Sequence, residues 1–242
     1  MRVDERQRRA RSFGGVADEY ERGRPEYPRE AVAWLVGDAR LVVDLGAGTG
    51  KLTRGVAALG RDVVAVEPSE EMAARLRAAV PAARVLAGSA EQIPLADGSV
   101  DAVVAGQAYH WFDPPRALPE IARVLRPGGT LGLVWNTRDD AVPWVRRLSA
   151  LMGSESWSGR PVDSIDACGL FEPVEEAEFR HEQRLERGAL LDLVCSRSSV
   201  ATLERAGRAR LLKAVGRLYD EAAGAEGIVL PYVTRVYRAA RR

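Results

Sequence analysis

Asp44-Leu45-Gly46-Ala47-Gly48-Thr49-Gly50 ends the apolar run Leu41-Val42-Val43 and precedes Leu52 to Leu59, which reads as a helix stopped by Gly60. A buried strand, a glycine turn and a helix in that order mark the place where a doubly wound α/β fold takes its ligand. The glycines let the backbone turn tightly and let a ligand approach main-chain atoms without a Cβ in the way. A phosphate-cradling loop of the form G-x-x-x-x-G-K-[ST] fails, because Leu45 stands where glycine is required and Leu52 replaces the metal-binding hydroxyl. The dinucleotide pattern G-x-G-x-x-G is weakened, since Lys51 occupies the third glycine position and Gly50 comes one place early. What remains is G-x-G-x-G behind an acid, with Glu67 at the tip of the next strand, where a carboxylate accepts hydrogen bonds from ribose hydroxyls.

Working outward, short apolar runs alternate with helical patterns from Leu41 to Trp135, as β-α-β units do. Asp62–Val66 is the second strand. Pro68-Ser69-Glu70-Glu71 opens a helix with Met72, Leu76 and Ala79 on one face. Arg84–Ala87 and Val100–Ala105 are the third and fourth strands. Pro115 to Leu125 is helical and stops at Arg126-Pro127-Gly128-Gly129, and Thr130–Trp135 is the fifth strand. Beyond Asn136 the periodicity weakens. Leu190–Val194 and Arg205–Ala222 read as helices, and Phe179–Leu185 and Tyr232–Arg238 alternate like strands. Phe13 to Tyr27 is polar and aromatic, more arm than core.

Composition narrows the class. The 242 residues carry 35 Lys+Arg against 34 Asp+Glu, a net charge of +1, so no electrostatic argument points to nucleic acid. Cys168 and Cys195 are too few and too far apart for a disulfide framework or a metal site. No apolar run approaches the roughly 20 residues of a membrane span, and no apolar leader follows the Arg-rich first residues. The expectation is a cytoplasmic protein with no membrane partner and no bound metal.

Four blocks then meet a known family. Asp44 to Gly50, Val66-Glu67-Pro68-Ser69-Glu70-Glu71-Met72, Gly88-Ser89-Ala90-Glu91-Gln92-Ile93-Pro94 and Leu125-Arg126-Pro127-Gly128-Gly129 together resemble the class I S-adenosylmethionine-dependent methyltransferases, most closely the type 11 small-molecule group. The resemblance spans roughly residues 10 to 140 and implies a seven-stranded, mostly parallel doubly wound sheet. It also implies an N-terminal arm over the cofactor (1–30), a cofactor-binding core (31–140), and remaining strands (141–242) with a helical substrate lid at about 186–227, all in one domain. Gly46, Ala47, Gly48 and Gly50 would pass beneath the methionine part of S-adenosylmethionine, with Asp44 holding that loop or the nearby amino group. Glu67 would take both ribose hydroxyls. Pro68 and Met72 would lie by the adenine, Ala90 and Glu91 at its edge, and Gln107 at the methionine end near the substrate mouth.

Residue chemistry agrees with that assignment. The cofactor is cationic at sulfur and carries no phosphate, so its site needs acids and carbonyls rather than a basic cradle. Asp44, Glu67 and Glu91 supply the acids, while Lys51 is expected to point away from the loop. His110, in Gln107-Ala108-Tyr109-His110-Trp111-Phe112-Asp113, either acts as a base or substrate-orienting donor, or closes the methionine pocket with Trp111. Tyr20 and Tyr27 could cap the site with Arg24 facing the cofactor's carboxylate; the alternative is an arm whose aromatics only staple it down. Ser196, Arg197, Ser198 and Ser199 sit in the expected lid. The partner expected is a small-molecule methyl acceptor. The rivals are an NAD(P)-dependent oxidoreductase, a non-catalytic cofactor-binding module and an RNA methyltransferase.

Overall fold

Five of the seven strands pair side by side in parallel. β1 (Leu41–Leu45) lies between β2 (Asp62–Val66) and β4 (Val100–Gly106); β3 (Arg84–Leu86) flanks β2, and β5 (Leu125–Arg138) flanks β4. β7 (Ile228–Ala240) runs antiparallel to β5, and β6 (Glu175–Leu185) antiparallel to β7, giving the order β3-β2-β1-β4-β5-β7-β6. The computed structural model behind this description covers residues 21–153, 161–197, 200 and 203–242. Strands buried on both faces read as continuous Val/Leu runs, which is why β1, β2 and β4 stand out in the sequence.

Helices cover both faces. On one, α1 (Arg29–Val36) and α2 (Lys51–Ala57) bury Val32, Leu35, Leu52 and Val56 against Val42, Val104, Val134 and Val236. α3 (Glu70–Ala79) adds Leu76 beside Ala65, and its first turn is capped by Ser69, whose hydroxyl accepts the Met72 N–H at 3.4 Å. On the other face α4 (Pro114–Val124) buries Leu118 and Ile121 against Val43, Val103 and Leu133, joined by Ile165 of α6 (Pro161–Cys168). α1 approaches so closely that a Cβ at Gly132 would lie 2.8 Å from the Leu35 side chain.

A third apolar cluster joins α5 (Pro143–Met152), α7 (Arg187–Cys195) and α8 (Arg205–Ala222) to the start of β7 through Val145, Leu148, Leu193, Val215 and Leu230. α7 and α8 occupy the connection between β6 and β7. Among the described residues no helix is long and apolar enough to cross a membrane.

Helices α1, α5 and α6 are not anticipated from the sequence; each spans only 8 to 10 residues. β5 begins at Leu125 rather than Thr130, because Val100 pairs with Leu125 before an irregularity brings Ala102 opposite Thr130. β6 begins at Glu175 rather than Phe179, its first residues being those of a charged edge strand.

Candidate active site

The C-terminal edge of the parallel strands collects the polar groups. Asp44, at the end of β1, is 1% exposed. Its Oδ2 accepts the Thr53 hydroxyl at 2.6 Å, while its Oδ1 has no hydrogen-bond partner among the described residues. Burial, opposed by the Thr53 bond and reinforced by the negative charge of Glu67, pushes the Asp44 carboxyl up to about 7. An unpartnered carboxylate oxygen buried this deeply is costly unless something cationic or hydrogen-donating meets it.

The turn after Asp44 needs its glycines. Gly46, Gly48 and Gly50 all have positive φ, and a Cβ at Gly46 would lie 2.9 Å from the Ala108 Cβ. At Gly48 a Cβ would meet nothing within 4 Å, so open space lies above that residue.

Glu67, at the tip of β2, accepts the Gly48 N–H on Oε2 and the Ser69 N–H on Oε1, both at 2.8 Å. It therefore shapes the glycine turn itself, and burial raises its pKa against those two bonds. Met72 and Ala90 are buried; Glu91 accepts the Asp113 N–H at 2.9 Å on Oε1. Pro68 and Glu91 line an open depression of about 720 Å³ together with Gly88 and Gln92.

Gln107 follows β4 with φ +54, the one non-glycine positive φ among the described residues. Its Nε2 donates to the Asn136 carbonyl at 3.1 Å. Such a conformation costs of order 1–3 kcal/mol and concentrates at functional sites. A 3₁₀ turn, Tyr109–Trp111, comes next and presents His110 and Trp111 with ring centroids 4.7 Å apart. The Tyr109 hydroxyl fastens that turn to Ser164 of α6 at 2.7 Å.

Residues 21–27 form a strap across this edge. Toward the glycine turn and α2, Glu21 accepts the Thr49 hydroxyl (2.7 Å) and pairs with Arg54 (2.7 Å); Glu26 pairs with Arg54 (2.8 Å) and Lys51 (3.0 Å). Lys51 is thus buried at the start of α2 and neutralised by the strap rather than simply turned outward. On the other side Arg22 pairs with Asp192 at 2.7 Å and the Arg24 Nε donates to the Ser196 hydroxyl at 3.0 Å, both at α7. Gly23 packs so tightly there that a Cβ would lie 2.3 Å from the Leu193 backbone nitrogen. Arg24, expected toward the cofactor, is held against the end of α7 by its bond to Ser196. Tyr20, Phe13, Ser198 and Ser199 lie outside the described residues.

Comparison with known proteins decides the family. An uncharacterized methyltransferase of Mycobacterium tuberculosis is 50% identical over 233 residues, covering 94% of this chain and 95% of the relative. The chain belongs to the class I methyltransferases. The family profile described as "Methyltransferase domain" matches residues 43–133 of the enzyme. A solved structure from Anaeromyxobacter dehalogenans, assigned to the type II methyltransferases, is 30% identical with a TM-score of 0.65, covering 90% of this chain and 97% of its own. The same fold occurs in geranyl diphosphate methyltransferase solved with S-adenosylmethionine, at a TM-score of 0.50 and 15% identity, covering 88% of this chain and 84% of its own.

Several polar groups of the methyltransferase are missed by sequence reasoning. His181 and Gln183 of β6, Tyr232 and Thr234 of β7, and Asn136 of β5 line one face of the sheet at the same edge. Their signal lies in strand register alone, because no local motif holds them.

Proposed function

We propose that this methyltransferase takes its methyl group from S-adenosylmethionine and passes it to a small-molecule acceptor. The observation that carries the reading is Asp44 Oδ1, buried and without a hydrogen-bond partner among the described residues, beside a glycine turn with open space above Gly48. The site fits the cofactor: an acid for the ammonium of its methionine tail, a second acid for its ribose, and no basic cradle that a phosphate ligand would need. The Gly48 and Ser69 N–H groups take one lone pair from each Glu67 oxygen, which leaves further acceptor capacity on both for ribose hydroxyls.

In this reading Gly46, Ala47, Gly48 and Gly50 pass beneath the methionine portion, and Pro68, Met72, Ala90 and Glu91 surround the adenine. When bound, the cofactor supplies a methyl group on a sulfonium, open to in-line displacement by a lone pair of the acceptor. The protein's task is alignment and exclusion of water, which convert an encounter into a near-attack arrangement. Gln107 and the turn carrying His110 and Trp111 border the methyl end; His110 orients the acceptor there. The strap, with Arg24, and helices α7 and α8 cover the acceptor side.

The test is calorimetric titration of the whole chain with S-adenosylmethionine, S-adenosylhomocysteine and NADH. Binding of the two sulfur compounds, weakened by Glu67→Ala, is expected. Binding of NADH alone would replace the reading with that of an oxidoreductase.

A further inference from the structure

The polar wall formed by β5, β7 and β6 contains a chain of hydrogen bonds whose directions can be worked out completely. The Glu26 carbonyl can only accept, so the group 3.1 Å from it is the Asn136 amide nitrogen. The Asn136 amide oxygen therefore faces Thr234, whose hydroxyl lies 2.6 Å away and donates its single proton there. With that proton committed, the Thr234 oxygen offers only a lone pair to His181 Nδ1 at 3.1 Å. Nδ1 must then carry the imidazole proton, and Nε2 keeps the lone pair.

That lone pair is buried and meets no donor among the described residues. Two residues along the same face of β6, the Gln183 amide nitrogen is turned toward the Gly23 carbonyl of the strap, at 3.4 Å. Its oxygen, also buried, is left without a partner. Native structures rarely leave buried acceptors unmade, because each loses the hydrogen bonds it makes in water. Here two occur side by side, under a strap that spans both halves of the site. Burial holds the His181 pKa below the usual imidazole value, so the ring is a neutral acceptor near pH 7. Tyr232 stacks on it at 5.2 Å and fixes its plane.

His181 stands three strands beyond Gln107, across β5 and β7, which is roughly 14 Å at about 4.8 Å per strand. Building on the methyltransferase reading, we infer that His181 Nε2 and Gln183 Oε1 form a distal acceptor subsite for a group that donates hydrogen bonds. The ligand class is an acceptor bearing a hydroxyl or amine at the end remote from the methylated atom, admitted when the strap lifts. A carboxylate offers no proton to either atom and is rejected by both.

The experiment uses the full chain labelled with ¹⁵N and saturated with S-adenosylhomocysteine, observed by long-range ¹⁵N–¹H spectra. The chain has two histidines, so a His110→Gln variant leaves His181 as the only imidazole. The expected result is the Nδ1–H tautomer, lost in Thr234→Val, with an Nε2 resonance that moves saturably on adding phenol or methylammonium and stays fixed with acetate. The Gln183→Leu change is expected to weaken that response at least tenfold without altering the tautomer. An Nε2–H tautomer, an equal response to acetate, or no response to either donor probe (a structural water only) would overturn the subsite. Calorimetry of S-adenosylhomocysteine on the same sample separates the outcomes: binding with a silent His181 sinks the subsite alone, whereas absent binding sinks the cofactor reading.

Discussion

Asp44 is where structure and cofactor chemistry meet, and its ionisation makes a quantitative demand on binding. Burial, helped by the charge of Glu67, pushes the carboxyl up to about 7 against the hydroxyl and backbone hydrogen bonds of Thr53. An ammonium placed at Oδ1 requires the carboxylate and pulls that pKa well down. Binding at lower pH must therefore expel a proton. With a free-protein value of about 7 and a much lower one in the complex, affinity rises about eightfold between pH 5.5 and 6.5, and about 0.9 proton is released at pH 6. In this window an α-amino group, with a pKa of about 7.7–8.0, remains charged. Calorimetry with S-adenosylhomocysteine across the window, in two buffers of different ionisation enthalpy, reads both quantities. Asp44→Asn is expected to flatten the slope and to cost roughly ten- to a hundredfold in affinity, the worth of a charge-assisted hydrogen bond at about 1.5–3 kcal/mol. The same residue also acts on folding. Its folded pKa lies above the ordinary aspartate value of 3.8, so the native state holds the extra proton between about pH 4 and 7, and ligand-free stability falls as pH rises through that range. Ligand-free Asp44→Asn should therefore melt above the wild type at pH 8 and close to it at pH 4. A pH-independent affinity with no proton release, or an Asp44→Asn variant that keeps the slope, would refute the reasoning.

Three further perturbations follow from named contacts. Glu67→Gln leaves one oxygen to serve the two N–H groups of Gly48 and Ser69, so chemical denaturation should show a loss of about 1–3 kcal/mol along with weaker cofactor binding; unchanged stability would count against Glu67 as the organiser of the turn. Gly23→Ala places a Cβ against the Leu193 backbone and should release the strap, seen as faster proteolytic cleavage within residues 21–27 while the melting temperature holds; unchanged cleavage would contradict the packing. Gln107→Gly removes a positive-φ strain of about 1–3 kcal/mol and its bond to Asn136, and should stabilise the fold while lowering turnover with any acceptor; a less stable variant would mean that the bond outweighs the strain.

The half of the fold around β1, β2 and β4 is legible because these strands are buried on both faces and the turns are punctuated by glycine. Leu41–Leu45, Gly46 to Gly50 and Asp62–Val66 carry their own signals, and the acids at their ends follow from the chemistry of the ligand. Arg205–Ala222 is equally plain, an eighteen-residue helix with a regular apolar stripe. The half around β6 and β7 is not, for two physical reasons. β6 is an edge strand whose sequence Glu175-Glu176-Ala177-Glu178 looks like a solvated loop until β7 pairs with it. His181, Gln183, Asn136 and Thr234 lie far apart in the chain and become one wall only through strand register, which no local pattern encodes. The strap shows a subtler gap. Glu21 and Glu26 belong to no sequence pattern, and only the folded chain shows them neutralising Lys51 and Arg54.

The most direct test of the account is a crystal structure of the full chain with S-adenosylhomocysteine. The ammonium is predicted within hydrogen-bond distance of Asp44 Oδ1, with the ribose hydroxyls on Glu67 and the methionine chain over Gly46 to Gly50. Density anywhere else on the sheet edge, or an Asp44 Oδ1 still unmet in the complex, would contradict it.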